Sequence, residues 1–294
     1  MSDTEVLLAD LRFGEAPRRG PDGRLYLSDF YDRQVLAVDL TTGAREVVCE
    51  VPGQPSGLGW LPDGRMLVVS MLDRTVLRLE PDGRLALHAD LSGLATFHTN
   101  DMLVHPSGRA YVGNFGFDLH AQLTEHGMAA LAALAADPPT AALALVEPDG
   151  EVRVAASGLR FPNGMVLLSD GTLVLAETLG ARLLAFDVAE DGSLGARRVW
   201  ADLREHLVAP DGVSVDVEDR VWAAAGISPS AVRVGAGGHL HGRVTTSQNC
   251  FAVGLAGPDR RTLVCCTAPS SLPGEVADRR LGRLEVVEVD VPGA

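Results

Sequence analysis

The sequence predicts an all-β protein: a single six-bladed β-propeller domain over residues 1–294, with a short helical insertion in blade three. A hairpin motif recurs six times along the chain, and a polar position just before each hairpin recurs in phase with it. Each repeat reads as about four short strands in ~40 residues, which is the length of one propeller blade. A parallel α/β sheet would need a helix between successive strands, and the pattern lacks these helices.

The hairpin motif consists of a polar turn followed by a short apolar strand. Its copies recur roughly every 40 to 50 residues, except for an interval of about 63 residues between the third and the fourth. A second short strand that ends in an acidic or turn residue follows most copies, as in QVLAVDLTTG and RLLAFDVAEDG. In chain order the six copies are PDGRLYLSD, PDGRMLVVS, PSGRAYVGN, SDGTLVLAE, EDRVWAAAG and DRRTLVCCT.

The long interval contains an alanine-rich segment, LHAQLTEHGMAALAALAADPPT. Its helical periodicity and its terminal prolines predict a helical insertion over about residues 118–145. Two roles are open for this insertion: an exposed decoration, or a lid over one face of the propeller.

Charge and composition exclude several classes of function. The formal net charge is −14, so the chain offers no basic surface to nucleic acid or to anionic lipid. No lysine is present, which excludes Schiff-base and lysine-nucleophile chemistry. No apolar run approaches the roughly 20 residues of a membrane span. We therefore expect a small-molecule substrate and no nucleic-acid or membrane partner; the oligomeric state stays open.

The cysteines and the N-terminus predict a cytoplasmic location. The beginning of the chain, MSDTEVLLAD, is acidic and does not resemble a signal peptide. The four cysteines form no C-x-x-C pair, so we expect buried free thiols, with the adjacent pair on opposite faces of a strand. They are Cys49, Cys250, Cys265 and Cys266.

The polar position before each hairpin lies where the innermost strand of each blade begins. Because innermost strands run side by side around a central channel, these residues converge at one end of it. Glu15, Asn100, Asn163 and Asp211 all offer oxygen, whereas Ser56 and Cys250 hold the position in the other two blades. Two facing carboxylates repel unless a cation lies between them. Oxygen ligands suit Ca²⁺ or Mg²⁺, and Zn²⁺ or Mn²⁺ could bind to the same ligands. The alternative is that the Asn-Gly and Asp-Gly pairs merely form turns.

The order and spacing of four motifs resemble the SMP-30/gluconolactonase/luciferin-regenerating enzyme family over essentially the whole chain. The motifs are GEAP, TND, PNGM followed by SDGTLVLAE, and PDGVSVDVEDRVWAA. The resemblance implies a six-bladed propeller with one divalent metal ion in its channel, and an activity on lactones. It also implies that Glu15, Asn163 and Asp211 are the metal ligands, that Asn100 stands beside the metal and contacts substrate or a bound water, and that Asp211 is the general base.

The chain departs from the sugar-lactone members of this family at the substrate residues. His98 stands where those members carry an arginine, and Phe115 and Phe117 replace more polar residues. A site for a polyhydroxylated substrate needs paired donors and acceptors. We therefore expect a lactone less polar than a simple sugar lactone. Ordinary packing of the two phenylalanines and a structural role for His98 remain alternatives.

These observations favour a metal-dependent lactonase. The metal would activate the lactone carbonyl, and Asp211 would take a proton from the attacking water. No G-x-S-x-G motif suggests a serine nucleophile. Two alternatives stay open at this point. The same site could carry out dehydration, isomerisation or cyclisation, or the propeller could bind a metal or ligand without catalysis.

Overall fold

The chain forms six sheets arranged as a ring, as the sequence predicts. The structure is a computed structural model, and it describes residues 2–127, 129–137 and 139–294. In each sheet, the strand that comes directly after the preceding blade in the chain is the innermost one. The innermost strands of neighbouring blades contact one another around the whole ring. The ring therefore surrounds a central channel.

The strands of the first half of the chain build blades one to three, after two N-terminal strands, β1 (Ser2–Asp3) and β2 (Glu5–Leu11). Blade one contains β3 (Gly14–Arg19), β4 (Leu25–Asp29), β5 (Gln34–Val38) and β6 (Arg45–Glu50). Blade two contains β7 (Pro55–Trp60), β8 (Met66–Ser70), β9 (Thr75–Leu79) and β10 (Leu85–Asp90). Blade three contains β11 (Thr99–Val104), β12 (Ala110–Asn114), β13 (Ala141–Val146) and β14 (Val152–Leu159).

The second half builds blades four to six in the same way. Blade four contains β15 (Pro162–Leu167), β16 (Leu173–Glu177), β17 (Arg182–Phe186) and β18 (Arg198–Asp202). Blade five contains β19 (Val213–Val215), β20 (Val221–Ala224), β21 (Ser230–Val234) and β22 (Leu240–Thr245). Blade six contains β23 (Asn249–Ala256), β24 (Thr262–Ala268) and β25 (Gly282–Glu288). Short helical turns lie at Thr178–Gly180, Arg204–His206, Ala236–Gly238 and Pro273–Val276.

The N-terminal strands close the ring. β2 pairs with β25 as the fourth and outermost strand of blade six, and β1 pairs in parallel with the outer strand of blade five. Closure from both ends of the chain ties the first and last blades together and covers strand edges that would otherwise be exposed.

The core lies between the blades. All residues of β16 are buried because side chains on both faces of this strand pack against neighbouring blades. Cys265 and Cys266 are buried in two different hydrophobic clusters, one on each face of β24. The four cysteines are buried free thiols, as predicted.

The insertion in blade three forms two helices, α1 (Leu119–His126) and α2 (Ala129–Ala136), between β12 and β13. Asp118 caps α1, its Oδ1 accepting from the backbone N–H of Ala121 at 2.8 Å. The predicted range 118–145 ends too late, since residues 141–145 belong to β13. Met128 and Pro138 of this range lie outside the described residues. Within the part of the chain that the structure describes, no helix is long and apolar enough to cross a membrane.

The insertion lies at the end of the channel where the innermost strands begin. α2 contacts the turn at Thr178–Gly180, which directly follows β16. The end of β16 pairs with the start of β15, since Glu177 faces Pro162. The insertion is therefore next to the position of Asn163.

Candidate metal and substrate site

The structure brings the predicted residues to one end of the channel. Glu15, Asn100 and Asn163 are each the second residue of the innermost strand of their blade. Asp211 does not open β19 but lies two residues before it. Because the innermost strands are neighbours around the axis, these four residues lie around the same end of the channel.

Three carboxylates lie near this end of the channel, because Asp101 joins the predicted Glu15 and Asp211. Burial, followed by the charges of Asp211 and Asp101, raises the pKa of Glu15 well above its ordinary value. Asp101 directly follows Asn100, and both side chains are buried. A β-bulge between Thr99 and Met102 explains this arrangement, because a bulge allows consecutive side chains to leave the usual alternation.

The pKa of Asp211 is raised for the same reasons as that of Glu15. Burial and then the charge of Asp101 raise its pKa well above the ordinary value, although hydrogen bonds from the Asn163 side chain and the Gly212 backbone oppose the shift. Gly164 allows blade four to approach this segment closely. A Cβ atom there would lie 2.7 Å from the carbonyl oxygen of Asp211 and 2.6 Å from the backbone nitrogen of Val213.

The two asparagines are held by neighbouring backbone and side-chain groups. Asn163 Nδ2 donates to Thr178 Oγ1 at 3.1 Å, and the Thr178 hydroxyl donates to the carbonyl oxygen of Pro210 at 2.8 Å. Asn100 Nδ2 donates to the carbonyl oxygen of Pro162 at 3.1 Å. With their nitrogens occupied, both asparagines have their side-chain oxygens left as acceptors.

One cation acts on the carboxylates from within blade one. The Arg18 guanidinium lowers the pKa of both Glu15 and Asp101, against the larger effect of burial. Its Nη1 donates to the carbonyl oxygen of Pro17 at 3.1 Å, and its Nη2 is buried without a partner among the described residues. If all three carboxylates are ionised, Arg18 leaves two negative charges uncompensated.

The donor set fits a divalent cation. Asn100 Oδ1 and Asp101 Oδ2 are buried and accept no hydrogen bond from the described residues, which is costly unless another group supplies the missing contact. Carboxylate and amide oxygens are the ligands that hard divalent cations prefer. Glu15, Asp101 and Asp211 influence one another's pKa values, but in the described ranges no three His, Cys, Asp or Glu side chains are arranged to hold one ion by themselves. The predicted ligand set, two carboxylates and an amide, is of a different kind.

An aromatic cluster lies beside this polar centre and contains the predicted substrate residues. The backbone N–H of Phe115 donates to the carbonyl oxygen of His98 at 2.9 Å, and the two ring centroids are 6.2 Å apart. Phe97 stacks on the His98 ring at 4.0 Å. Phe161 packs against Phe115 at 4.6 Å, and the Phe117 ring lies 6.3 Å from Phe161. Phe115 is half-buried and also contacts the hydrophobic core, so packing is part of its role.

Three members of the aromatic cluster, Phe97, Phe161 and His120, were not among the predicted substrate residues. Phe161 immediately precedes the Pro-Asn-Gly motif and has a φ of 62°, a conformation that an aromatic residue rarely adopts. His120 comes from helix α1, and its ring is perpendicular to that of Phe115 at 6.2 Å. Phe161 carried a local signal, its position next to Asn163. His120 and Arg18 carried none, because their place at the site depends on the folded chain.

The comparisons with known proteins agree with this architecture. A family model described as the SMP-30/gluconolactonase/LRE-like region matches residues 13–269. The pentonolactonase XacC of Haloferax volcanii is 26% identical over 283 residues, which cover 95% of this chain and 89% of the relative.

Solved structures resemble the whole propeller. A luciferin-regenerating enzyme superimposes with a TM-score of 0.80 at 19% identity, covering 99% of this chain and 97% of the other. A calcium-binding protein, regucalcin of Agrobacterium tumefaciens, gives a TM-score of 0.74 at 22% identity, with coverage of 99% and 96%. At these identities the structural similarity supports the fold.

Proposed function

The chain belongs to the SMP-30/gluconolactonase/LRE-like family, and on that premise we propose that it is a divalent-metal-dependent lactonase. Its substrate is a lactone less polar than a simple sugar lactone. The relative with 26% identity is a pentonolactonase, which supports hydrolysis of a cyclic ester by this chain as well.

The observation that carries this proposal is the convergence of Glu15, Asp101 and Asp211 at one end of the channel. Burying like charges together is unfavourable unless a cation or retained protons neutralise them. Burial of Asn100 Oδ1 and Asp101 Oδ2 without a partner among the described residues is also unfavourable unless another group contacts them. A divalent cation would neutralise the two charges that Arg18 leaves uncompensated when all three carboxylates are ionised.

Glu15, Asn163 and Asp211 would hold the metal ion, and their oxygen ligands suit Ca²⁺, Zn²⁺, Mn²⁺ or Mg²⁺. The calcium-binding regucalcin among the structural relatives supports a divalent metal in this fold. When bound, such an ion acts as a Lewis acid toward an ester carbonyl.

The chain's own residues provide a base and orientation. A carboxylate oxygen of Asp211 would accept the proton of the attacking water, and the neighbouring Asn163 amide favours the ionised form of that carboxylate by lowering its pKa against the effect of burial. Asn100 is fixed through its Nδ2, so its free Oδ1 can accept a hydrogen bond from substrate or water. Cleavage of the acyl C–O bond leaves a carboxylic acid and an alkoxide; the alkoxide takes the proton held by Asp211, and the acid releases its own proton to solvent to give the carboxylate.

The aromatic cluster supports the less polar substrate. Phe115 and Phe161 present phenyl rings where a sugar would require hydrogen-bonding groups. Hydroxyl groups placed against these rings would lose water without gaining partners, whereas an apolar lactone would bury its surface favourably.

The test is a hydrolysis assay with a series of lactones from gluconolactone to alkyl and aromatic lactones, with and without chelator. We expect chelator-sensitive hydrolysis with higher kcat/KM for the apolar members. D211N should lower kcat by at least about 100-fold, the range of general-base catalysis. The control is D82N, which alters an exposed turn carboxylate of blade two.

Three results would contradict parts of the proposal. Hydrolysis that persists after complete metal removal would exclude the metal-dependent mechanism. A preference for gluconolactone would overturn the interpretation of the aromatic cluster. Bound metal without turnover of any lactone would favour non-hydrolytic chemistry or a binding protein.

A further inference from the structure

We propose that the two-helix insertion is part of the substrate site and that His120 on α1 is a specificity-determining residue. The inference rests on the proposed lactonase function and names its substrate class more closely. The substrate is a lactone with a planar, apolar ring that bears an oxygen substituent, and His120 hydrogen-bonds that substituent.

The local structure fixes the position of His120. This residue lies in the first turn of α1, whose start is held by the Asp118 cap. The backbone N–H of Leu119 donates to the carbonyl oxygen of Phe117 at 3.1 Å, which links the helix directly to the aromatic segment of blade three. The insertion therefore begins within the site rather than at a distance from it.

The His120 ring contacts Phe115, which also contacts aromatic rings of the propeller. It approaches Phe115 at 6.2 Å with an interplanar angle of 88°, while Phe161 of blade four packs on Phe115 at 4.6 Å. His98 lies 6.2 Å from the same phenylalanine. Two imidazoles and Phe161 thus gather around the Phe115 ring, and His98 is two residues before Asn100 in the chain.

The imidazoles have unused hydrogen-bonding capacity. In the described part of the chain, neither His98 nor His120 makes a side-chain hydrogen bond, although both are half-buried. Burial lowers the pKa of both, so each ring is neutral near pH 7 and offers one N–H donor and one acceptor. A bound oxygen substituent would satisfy a nitrogen that otherwise loses water when the site is filled.

The backbone before β15 fixes the direction of the Phe161 ring. The Phe161 φ of 62° matches the 68° of Gln54, which precedes β7 in blade two as Phe161 precedes β15, so this turn belongs to the entry into the innermost strand. The carbonyl oxygen of Phe161 accepts from the backbone N–H of Thr178 at 3.1 Å, which maintains the conformation. In this conformation the Phe161 ring is buried against Phe115.

The chemistry of these four rings selects the substrate class. Phenyl faces pack favourably against a flat ring, and neutral imidazoles pair with a hydroxyl or carbonyl oxygen. A sugar lactone presents hydroxyl groups on all sides and would leave several of them without partners here. A benzene-fused lactone with a ring hydroxyl fits both the apolar rings and the imidazoles.

The experiment compares dihydrocoumarin with a hydroxylated dihydrocoumarin as substrates of the metal-loaded protein. H120L should lower kcat/KM for the hydroxylated lactone about tenfold, mainly through KM, and leave the parent lactone within about threefold. H120N, which retains a donor and an acceptor, should recover part of the loss. The control is H239L, which alters an exposed histidine next to β22 of blade five, outside the insertion.

The outcomes separate the two proposals. If the wild type hydrolyses lactones but H120L and H239L behave alike on both compounds, His120 has no role in specificity. An equal loss on both compounds would indicate a structural role, and thermal unfolding would show it as a lower Tm. If the wild type hydrolyses other lactones but neither dihydrocoumarin, the substrate class is wrong. If no lactone is hydrolysed, the lactonase proposal itself fails.

Discussion

The side chain of Asn100 in blade three donates a hydrogen bond to the carbonyl oxygen of Pro162 in blade four, at 3.1 Å. This bond joins two blades at the residues that precede Asp101 and Asn163 in their strands. Gly113 on β12 lies against both groups, because a Cβ atom there would come within 2.6 Å of the Pro162 oxygen and 2.7 Å of Asn100 Oδ1. The geometry of the site therefore depends on the absence of a side chain at position 113.

Replacing Gly113 with alanine should damage the site. The added methyl group must displace Asn100 or Pro162, at a cost of about 1–3 kcal/mol in the free energy of unfolding. We expect at least a tenfold loss of lactonase activity and a lower Tm. The control is G93A, since a Cβ atom at Gly93 meets nothing within 4 Å. Equal behaviour of G113A and G93A would show that the close approach does not matter.

Replacing Arg18 with methionine should destabilise the metal-free protein more than the metal-loaded protein. Without the guanidinium, Glu15 and Asp101 lose the cation that lowers their pKa values. We expect a loss of about 1–3 kcal/mol without metal, and a smaller loss with it, because the metal also neutralises these charges. Urea unfolding with and without chelator measures both values.

The control for this variant is R84M, which alters an arginine that is 81% exposed. It should change neither value by more than about 0.5 kcal/mol. If R18M loses the same stability with and without metal, Arg18 does not act on the charges of the metal site.

Glu285 provides a pH-dependent contribution to stability away from the site. Burial alone would raise its pKa, but hydrogen bonds from Ser247, Thr4 and Thr267 lower it below its ordinary value. Ser247 Oγ donates at 2.6 Å and Thr267 Oγ1 at 2.7 Å, so this carboxylate links blades five and six with the N-terminal segment.

Because the folded-state pKa of Glu285 is depressed, its contribution is present above the unfolded pKa and is lost as pH falls through the folded value. E285Q should be less stable than the wild type by about 1–3 kcal/mol at pH 7. The difference should shrink as pH falls from about 5 to 3 in urea unfolding. E288Q, an exposed neighbour on β25, is the control. A difference that is constant with pH would contradict this account.

The blades could be predicted from the sequence because their signals are local. Each hairpin carries its own turn residues and apolar strand, and the recurrence of these pairs defines the repeat. The end of the insertion was placed too late because Ala141 and its neighbours suit a helix as well as a strand.

The site could be predicted only where it follows the repeat. Glu15, Asn100 and Asn163 occupy equivalent positions in their blades, so the period brings them together. Asp101 could not be predicted, because consecutive residues of a regular strand face opposite sides and the bulge that changes this is not evident in the sequence. His120 reaches the site through a helix whose direction depends on tertiary contacts.

The most direct test of the metal site is a calorimetric titration of chelator-treated protein with Ca²⁺, Mn²⁺ and Zn²⁺. The account predicts one divalent ion per chain for the wild type, and at least about tenfold weaker binding for E15Q, with D82N unchanged. Binding of no divalent ion by the wild type, or binding that E15Q leaves intact, would contradict the assignment of the carboxylate cluster as a metal site.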